Sequence, residues 1–436
     1  MSVVEADRSE WSEAAAPPVG VLAAPKLCRL ALLGYGRVGQ AVAGLAHAEQ
    51  DRLRGGGLDV RIVGALVRDP RKPRTGPPQA LHTSHDALFA APFDVLIDVM
   101  GGLEPAGELV KRALAAGRHV VTANKTLVAA RGLEFEAQAR QRGVSFVYDA
   151  AVLAGVPFLG ALARRPLIAA SSRISGIING TSHFITCRLA RGGSLTAALD
   201  EATRHGYAEP DSSADLSGRD AAEKLTILLH LAGCRDLTVN DLPTRHLDVL
   251  TSSDVLGAHA LGGAIKPAAL AWLDPANPGA WVGPVVVDRA HPFAALDGVQ
   301  NAIEFAGHAA DPVTFAGPGA GPRVTAATIL DDVVEAVSAG TPRTTSHWRP
   351  APVPASALST PPSTAWYIRA GGDTTAAELR SLLDDARVPI ANVIECGRVA
   401  VARTSQAPWR QITSVVDALR ARGREALALP VLERKG

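Results

Sequence analysis

A glycine-rich turn between an apolar run and a helical segment constrains the fold of this chain more than any other feature. Residues 27–33 (LCRLALL) are apolar, GYGRVG follows at 34–39, and AVAGLAHAEQ continues with helical spacing. Such a turn lets the backbone approach a dinucleotide pyrophosphate at the N-terminus of the helix; the alternative is a tight turn that binds nothing. The residues predicted to bind a dinucleotide here are Gly34, Gly36, Arg37, Val38 and Gly39.

Apolar runs and helical patterns alternate as far as residue 152. Further apolar runs occur at 59–67, 93–102, 119–125 and 144–152, and helical patterns occur at 108–117 and 131–142. This alternation predicts βαβ units around a parallel sheet. The fold class is therefore expected to be α/β, with a Rossmann-type parallel sheet in the N-terminal part of the chain.

The end of the second apolar run indicates which dinucleotide binds. An Asp or Glu at that position would hold the ribose 2′-hydroxyl of NAD. This chain instead has Arg68, with Lys72 close behind it. Because cations suit a 2′-phosphate, we predict that Arg68 and Lys72 favour NADP(H) over NAD(H); the alternative is an ordinary solvated basic turn.

The chain changes character after residue 152. Helical patterns at 194–207 and 220–233 precede apolar, strand-like runs at 280–288 and 301–307, and GPGAG (317–321) introduces a further helix at 325–337. Residues 341–364 are rich in Pro, Ser and Thr without periodicity, which predicts a linker. Residues 365–436 show a β-α-β-β-α order, which predicts a small α+β module. Residues 1–26 are expected to form a flexible leader.

Charged side chains are concentrated at the start of the helical pattern at 220–233 and in the loop before it. Asp220 and Lys224 are four residues apart, so they share one face of a helix, while Glu209 and Asp215 lie in the preceding loop. Carboxylates beside a lysine could bind a substrate ammonium and tune a proton donor. The alternative is an ordinary surface ion pair.

A second lysine lies at the end of a predicted strand. Lys125 closes the sequence VVTANK, and α/β sheets bind ligands at the carboxyl ends of their parallel strands. Lys125 is therefore a candidate site residue, although a lone lysine in a turn, taken by itself, is expected to face water.

Composition excludes several classes of protein. The 44 basic and 43 acidic residues leave a net charge of +1, which argues against a nucleic-acid partner. No apolar run reaches the roughly 20 residues that a membrane span needs, and the N-terminus lacks the features of a signal peptide. The four cysteines form no CxxC pair and no two histidines have metal-ligand spacing, so we expect free thiols in a cytoplasmic protein.

Together these motifs resemble the homoserine dehydrogenase family over about residues 28–340. The matching strings are GYGRVG, VRDPRK, DVLIDVMGG, ALAAGRHVVTANK, YDAAVLAGVP, GIINGTSH, GYAEPDSSADLSGRDAAEKL and GPGAGPRVTAATILDD. The resemblance implies a discontinuous dinucleotide-binding domain, 27–151 with 317–340, in which Gly319 contributes to the cofactor site. Residues 152–316 would form an α/β substrate and dimerisation domain.

The resemblance also implies an activity and the roles of the site residues. The reaction would be the reversible NADPH-dependent reduction of L-aspartate 4-semialdehyde to L-homoserine, a step of threonine, methionine and isoleucine biosynthesis, in a homodimer or homotetramer. Lys224 would donate the proton, Asp220 would orient it, and Lys125 would be the second catalytic lysine and contact the cofactor. The amino-acid end of the substrate would be bound by Glu209, Asp215, Tyr207, Gly180 and Thr181. Na⁺ or K⁺ would be bound at Asp149, Val152, Ala154 and Val156, mainly through backbone carbonyls.

Some residues depart from the family pattern. Asp149 and Asp98 stand where the family usually has Glu, Arg37 where it has Thr, His183 where it has Asn, and VLAG (152–155) replaces VAGG. These changes leave open a paralogue that reduces a related amino-acid semialdehyde, and a non-catalytic nucleotide- or effector-sensing protein. The C-terminal module is ACT-like in its order of elements, but it lacks the usual DRPG-type turn, which leaves effector binding open.

Overall fold

The computed structural model describes residues 24–77, 79–163, 165, 170–208, 212–307, 311–338 and 353–434. Most of the predicted leader and half of the predicted linker lie outside these residues. Within the described ranges, no helix combines the length and apolar character that a membrane crossing requires.

The N-terminal part folds around a six-stranded parallel sheet, as the alternation predicted. The strand order is β3-β2-β1-β4-β5-β6, which is the doubly wound arrangement of dinucleotide-binding folds. The strands are β1 Lys26–Leu33, β2 Leu58–Leu66, β3 Leu81–His82, β4 Val95–Asp98, β5 His119–Thr122 and β6 Phe146–Val147. The helices between and after them are α1 Arg37–Ala48, α2 Gln50–Gly55, α3 His85–Ala90, α4 Ala106–Ala115, α5 Lys125–Arg142, α6 Asp149–Val152 and α7 Leu159–Ala163.

The register of the sheet brings its loops together at one edge. Leu33 pairs with Leu66 and with Asp98, and Asp98 pairs with Thr122, so β1, β2, β4 and β5 end level with one another. The segments that follow these strands therefore emerge side by side. β1 and β4 run in neighbouring positions but continue to opposite sides of the sheet, and ligands bind at such a switch point.

The second part is built on a nine-stranded mixed sheet. Its order is β11-β10-β7-β8-β9-β15-β12-β14-β13. The first five strands in sequence are β7 Ser171–Ile177, β8 Gly263–Trp272, β9 Gly279–Asp288, β10 Gln300–Gly307 and β11 Val313–Pro318. Helices α8 Gly180–Ala190, α9 Leu195–Arg204, α10 Ser213–Leu216, α11 Arg219–Leu231 and α12 Ser252–Ala260 lie between β7 and β8 in sequence.

The chain then returns to the first sheet through one long helix. Helix α13, Pro322–Ser338, buries Ala326, Ile329 and Val333 in the same apolar core as Leu32 of β1 and Val42 of α1. Burial of the Ile329 and Val333 side chains contributes about 1.5–3 kcal/mol each. The return helix is thus an integral part of the packing of the parallel sheet.

The C-terminal segment forms a β-α-β-β-α-β unit, one strand longer than the predicted order. Its elements are β12 Trp366–Ala370, α14 Ala376–Asp385, β13 Ile390–Cys396, β14 Val399–Thr404, α15 Trp409–Ala421 and β15 Ala426–Leu432. The final strand β15 pairs in parallel with β9, which joins this unit to the second sheet.

Several local predictions were wrong. The run 144–152 is extended only at Phe146–Val147, and Asp149–Val152 is helical. The run 119–125 ends as a strand at Thr122, so Lys125 is the first residue of α5 and does not lie in a turn. The long strand β8 was not predicted, because its sequence AIKPAALAW contains a proline and a lysine.

Candidate active site

The glycine turn leaves space where a dinucleotide would approach. Gly34 has a φ of +99°, and a Cβ on Gly39 would lie 2.5 Å from the carbonyl oxygen of Gly34. A Cβ on Gly36, by contrast, would meet no atom within 4 Å. Two of the three glycines are therefore needed for the shape of the turn, while the third faces open space at the start of α1. This geometry fits a pyrophosphate at a helix N-terminus.

A basic loop after β2 is held against the glycine turn. Arg68 and Lys72 are both exposed. Arg74, which the sequence reasoning missed, donates to the carbonyl oxygens of Tyr35 (3.2 Å) and Asp69 (2.9 Å). The backbone N–H of Thr75 donates to the Gln40 side chain at 2.6 Å. The sequence showed a basic cluster, but it could not show which of these side chains bonds to the backbone of the glycine turn.

A buried polar network fixes the start of α5. Asp98 is fully buried and accepts hydrogen bonds from the Met100 N–H (3.0 Å), the Thr122 hydroxyl (3.0 Å) and the Asn124 amide (3.2 Å). Burial raises the pKa of Asp98, and these donors offset only part of that effect. Asn124 also caps α5, because its side-chain oxygen accepts from the Leu127 N–H. The network therefore sets the position from which Lys125 projects.

Two lysines from different parts of the fold meet on one carboxylate. Lys125 Nζ of α5 lies 3.1 Å from Asp220 Oδ1, and Lys224 Nζ lies 2.8 Å from Asp220 Oδ2. Lys224 also donates to the Ile178 carbonyl at 2.8 Å. Burial opposes ionisation of Asp220, but the charges of Lys224 and Lys125 outweigh it and lower its pKa to about 2.

Lys224 is largely shielded from solvent, and Lys125 is partly exposed. The Lys224 side chain is only 12% exposed and that of Lys125 is 36% exposed. Burial alone would lower the pKa of Lys125, but the neighbouring Asp220 raises it. A second hydrogen bond also links α5 to α11, from the Thr126 hydroxyl to Glu223 at 3.0 Å. The interpretation of Asp220 and Lys224 as an ordinary surface pair is therefore excluded by their burial.

An asparagine that the sequence reasoning missed joins the two acids of the site. The side-chain amide of Asn179 donates to Asp215 Oδ1 at 2.7 Å and to Asp220 Oδ2 at 2.8 Å. Its oxygen accepts from the Ser182 N–H and thereby caps α8. Burial, and then the charge of Asp220, raise the pKa of Asp215. The NGT sequence contained this residue, but only Gly180 and Thr181 were selected from it.

The remaining predicted substrate residues that the structure describes lie around the N-terminus of α8. Gly180 is its first residue, and the Thr181 hydroxyl donates to the Tyr207 carbonyl at 2.7 Å. The Tyr207 ring is exposed and lies 5.2 Å from the Phe184 ring. Glu209 lies outside the described residues.

Gly319, which was predicted to contribute to the cofactor site, packs tightly on the Asn301 side chain, and a Cβ at this position would overlap that side chain.

Two backbone carbonyls of the segment predicted to bind a cation already accept hydrogen bonds within the protein. The Ala154 carbonyl accepts a hydrogen bond from the Thr328 hydroxyl, and the Val156 carbonyl accepts one from the Phe158 N–H. Burial, and then the charge of Asp149, raise the pKa of Asp332 on α13. In the part of the chain that the structure describes, no group of three or more His, Cys, Asp or Glu side chains has the arrangement of a metal site.

Comparison with known proteins gives a consistent result. The family model for homoserine dehydrogenase matches residues 157–334, and that for the homoserine dehydrogenase NAD-binding domain matches residues 34–149. The chain is 33% identical to homoserine dehydrogenase of Bacillus subtilis over 314 residues, which cover 71% of this chain and 72% of that protein. It is 37% identical to that of Corynebacterium glutamicum over 318 residues, which cover 70% and 71%.

Solved structures agree with the sequence relatives. A homoserine dehydrogenase from Thiobacillus denitrificans superposes with a TM-score of 0.82 at 28% identity, covering 94% of this chain and 100% of that one. A homoserine dehydrogenase from S. aureus gives a TM-score of 0.75 at 26% identity, covering 93% and 99%. The chain combines a dinucleotide-binding sheet with extensive similarity to homoserine dehydrogenases. It therefore belongs to the homoserine dehydrogenase family.

Proposed function

We propose that this chain catalyses the reversible, NADP(H)-linked interconversion of L-aspartate 4-semialdehyde and L-homoserine, with Lys224 as the proton donor. The observation that carries the proposal is the bridge from Lys125 to Asp220 to Lys224. It brings the carboxyl edge of the dinucleotide-binding sheet to the first turn of α11. A hydride donor and a carbonyl must meet at such a boundary for transfer to occur.

The ammonium groups can stabilise and protonate a developing alkoxide. A bound nicotinamide dinucleotide supplies the hydride for reduction and accepts it for oxidation. As negative charge grows on the carbonyl oxygen, the buried Lys224 ammonium stabilises it and donates a proton to it. Asp220 and the Ile178 carbonyl hold the Lys224 amine in one position. In the oxidation direction the same amine receives the hydroxyl proton of homoserine.

A carboxylate beside the lysines suits the ammonium of an amino acid. Asp215 is held by Asn179, and among the described residues it forms no ion pair with a cation. Its charge is therefore available to a substrate ammonium. We propose that Asp215, with Glu209, Gly180, Thr181 and Tyr207, binds the amino-acid end of the substrate, as the family pattern implies.

The preference for NADP(H) rests on the basic loop after β2. Arg74 holds this loop against the glycine turn, and Arg68 and Lys72 are exposed on it. Two cations near the end of β2 would stabilise a 2′-phosphate, and no acidic residue takes the place of Arg68 there. The glycine turn, with Gly34, Gly36, Arg37, Val38 and Gly39, would hold the pyrophosphate.

A monovalent cation is proposed at the loop that follows α6. The charge of Asp149 acts there on Asp332, whose pKa is raised by burial and by Asp149, and carbonyl oxygens retain a second lone pair after accepting one hydrogen bond. Val152, Ala154 and Val156 would supply these oxygens. Replacing K⁺ and Na⁺ in the assay buffer with tetramethylammonium should lower activity; an unchanged rate would reject the site.

Assembly and location are proposed from the family alone. We propose a homodimer or homotetramer in the cytoplasm, with the C-terminal unit acting as an ACT-like effector module. Sedimentation analysis with and without L-threonine tests both the oligomeric state and the proposed role of the effector module. A purely monomeric protein would contradict the assembly.

An absorbance assay at the nicotinamide band tests the function directly. The protein should reduce NADP⁺ in the presence of L-homoserine, and kcat/KM should be lower with NAD⁺. Faster oxidation of a longer or branched amino-alcohol would favour a paralogue with a related substrate. Tight NADPH binding without oxidation of homoserine would instead favour a non-catalytic sensor.

A further inference from the structure

We infer that Asn179 is a positioning residue that couples the ammonium-binding carboxylate of Asp215 to the proton-donating pair Asp220–Lys224. The inference rests on the proposed function and assigns a role to a residue outside the predicted catalytic set. It means that recognition of the substrate ammonium and transfer of the proton depend on one side-chain amide.

The hydrogen bonds of Asn179 are unusually well matched to this task. One N–H of the amide donates to Asp215 at 2.7 Å, and the other donates to Asp220 at 2.8 Å. The amide oxygen accepts from the Ser182 N–H at 2.7 Å. Asn179 is buried, so water could replace these bonds only after a rearrangement. Both donors of the amide are thus committed to the two acids of the site.

Helix capping does not explain why this residue is an asparagine. The N-cap role uses only the side-chain oxygen, and Asp or Ser caps a helix about as well as Asn. Neither of them offers two N–H donors. What distinguishes Asn179 is therefore its bond to each carboxylate. Without these donors, no side-chain amide would bridge Asp215 and Asp220, and the repulsion between the two carboxylates would be offset only by the nearby lysines.

The charges around this pair are distributed unevenly. Burial opposes ionisation of Asp220, but the charges of Lys224 and Lys125 outweigh it and lower its pKa. The same lysines also act on Asp215, but there burial and the charge of Asp220 outweigh them and raise the pKa. Among the described residues, further charged groups near the pair include Glu223 and Arg219 on α11 and Arg245, which lines the pocket beside Asp215. A substrate ammonium on Asp215 would offset the repulsion between the two carboxylates, which the Asn179 amide otherwise bridges. Substrate binding would thereby favour the ionised form of Asp215, while Asp220 stays ionised and holds Lys224.

Two substitutions separate this role from capping. Asn179→Asp keeps the cap, removes both donors and adds a third carboxyl to the cluster. Asn179→Ser keeps the cap and removes the amide without adding charge. Asn277→Asp is the control. The Asn277 amide donates to the Ser363 carbonyl and its oxygen accepts from the Ser363 N–H, so this substitution also removes amide donors, but in another loop.

The experiment measures homoserine oxidation against pH for the full-length protein and the three variants. In Asn179→Asp the crowded carboxyls should retain a proton to higher pH, so the acid limb of kcat/KM should move up by about one pH unit or more. Asn179→Ser should lower kcat by about tenfold and raise KM for homoserine, because Asp220 and Asp215 are both released. Asn277→Asp should match the wild type.

The outcomes distinguish the inference from the function on which it rests. If both Asn179 variants keep the wild-type pH profile and kcat, Asn179 is only a helix cap and the inference is rejected. If the wild type itself does not oxidise homoserine, the proposed function fails, and the coupling fails with it. Melting temperatures of the variants, measured alongside, separate loss of stability from loss of catalysis; Asn179→Asp should melt at a lower temperature than Asn179→Ser because it buries a third carboxyl.

Discussion

Lys224 is the residue on which the chemistry depends most directly. Replacing it with alanine removes the proton donor but leaves Asp220 paired with Lys125. We expect turnover of homoserine to fall by at least ~10²-fold, as for the loss of a general acid. Binding of NADPH, measured by fluorescence titration, should stay within about twofold because Lys224 lies on α11, outside the dinucleotide-binding sheet.

A lysine elsewhere supplies the control for this prediction. Lys111 on α4 is exposed, and Lys111→Ala should leave both turnover and binding unchanged. A Lys224→Ala protein that turns over homoserine at the wild-type rate would remove Lys224 from the proton-transfer step.

His183 should make stability depend on pH. It is fully buried, and burial, with the charge of Lys266 next in effect, lowers its pKa to about 4. Its Nδ1 lies 2.8 Å from the Gln300 carbonyl, and Asp297 also faces it. In the unfolded chain its pKa is about 6.5, so between pH 6.5 and 4 the unfolded state binds more protons. Stability therefore falls as pH falls through that range.

Thermal melts at two pH values test this prediction. Between pH 7.5 and 5 the free energy of unfolding of the wild type should fall, and about 2 kcal/mol of that fall should come from His183. The His183→Asn variant should lose about 2 kcal/mol less than the wild type over the same range. His246→Asn is the control, since its side chain is 59% exposed. An equal loss of stability with acid in His183→Asn and wild type would contradict the assignment.

At the level of elements, helix α1 depends on one close approach within the glycine turn. A Cβ on Gly39 would lie 2.5 Å from the Gly34 carbonyl, whereas a Cβ on Gly44 in the same helix meets no atom within 4 Å. Gly39→Ala should therefore displace the turn and weaken NADPH binding by about tenfold or more. Gly44→Ala should leave binding intact and stabilise the helix by about 0.5–1 kcal/mol. Equal binding by both variants, in calorimetric titrations, would show that the turn does not hold the cofactor.

The elements also show what could be predicted from the sequence. The parallel sheet was predictable because alternating apolar and helical periods are a local signal. The helix at Asp149–Val152 was not, because YDAAV has the apolar content of a strand and only the packing of Ala150 and Ala151 decides its conformation. Lys224 and Asp220 could be identified from i, i+4 spacing. Asn179 could not, because its bonds to Asp215 and Asp220 span 36 and 41 residues.

At the scale of the whole molecule, the C-terminal unit is built into the second sheet. Strand β15 pairs with β9, and the rings of Trp281 on β9 and Trp366 on β12 lie 6.3 Å apart. The guanidinium of Arg369 lies 2.8 Å from Asp254, which is fully buried on α12. Because α12 packs against β8 and α8, the unit contacts the helix that carries Thr181 through a single intervening element.

The buried pair should therefore decide whether the molecule unfolds as one body. Arg369→Met leaves the Asp254 carboxylate buried without its cation, which should cost about 3–5 kcal/mol. Arg398→Met is the control in the same unit, because its pair with Asp373 is exposed and solvent screens it. Since the sheet is continuous, we expect tryptophan fluorescence and enzymatic activity to be lost together in one transition, shifted to lower temperature in Arg369→Met only. Separate transitions for the two signals in the wild type would mean that the C-terminal unit unfolds independently of the site, and equal melting temperatures for the two variants would mean that the buried pair contributes no more than the exposed one.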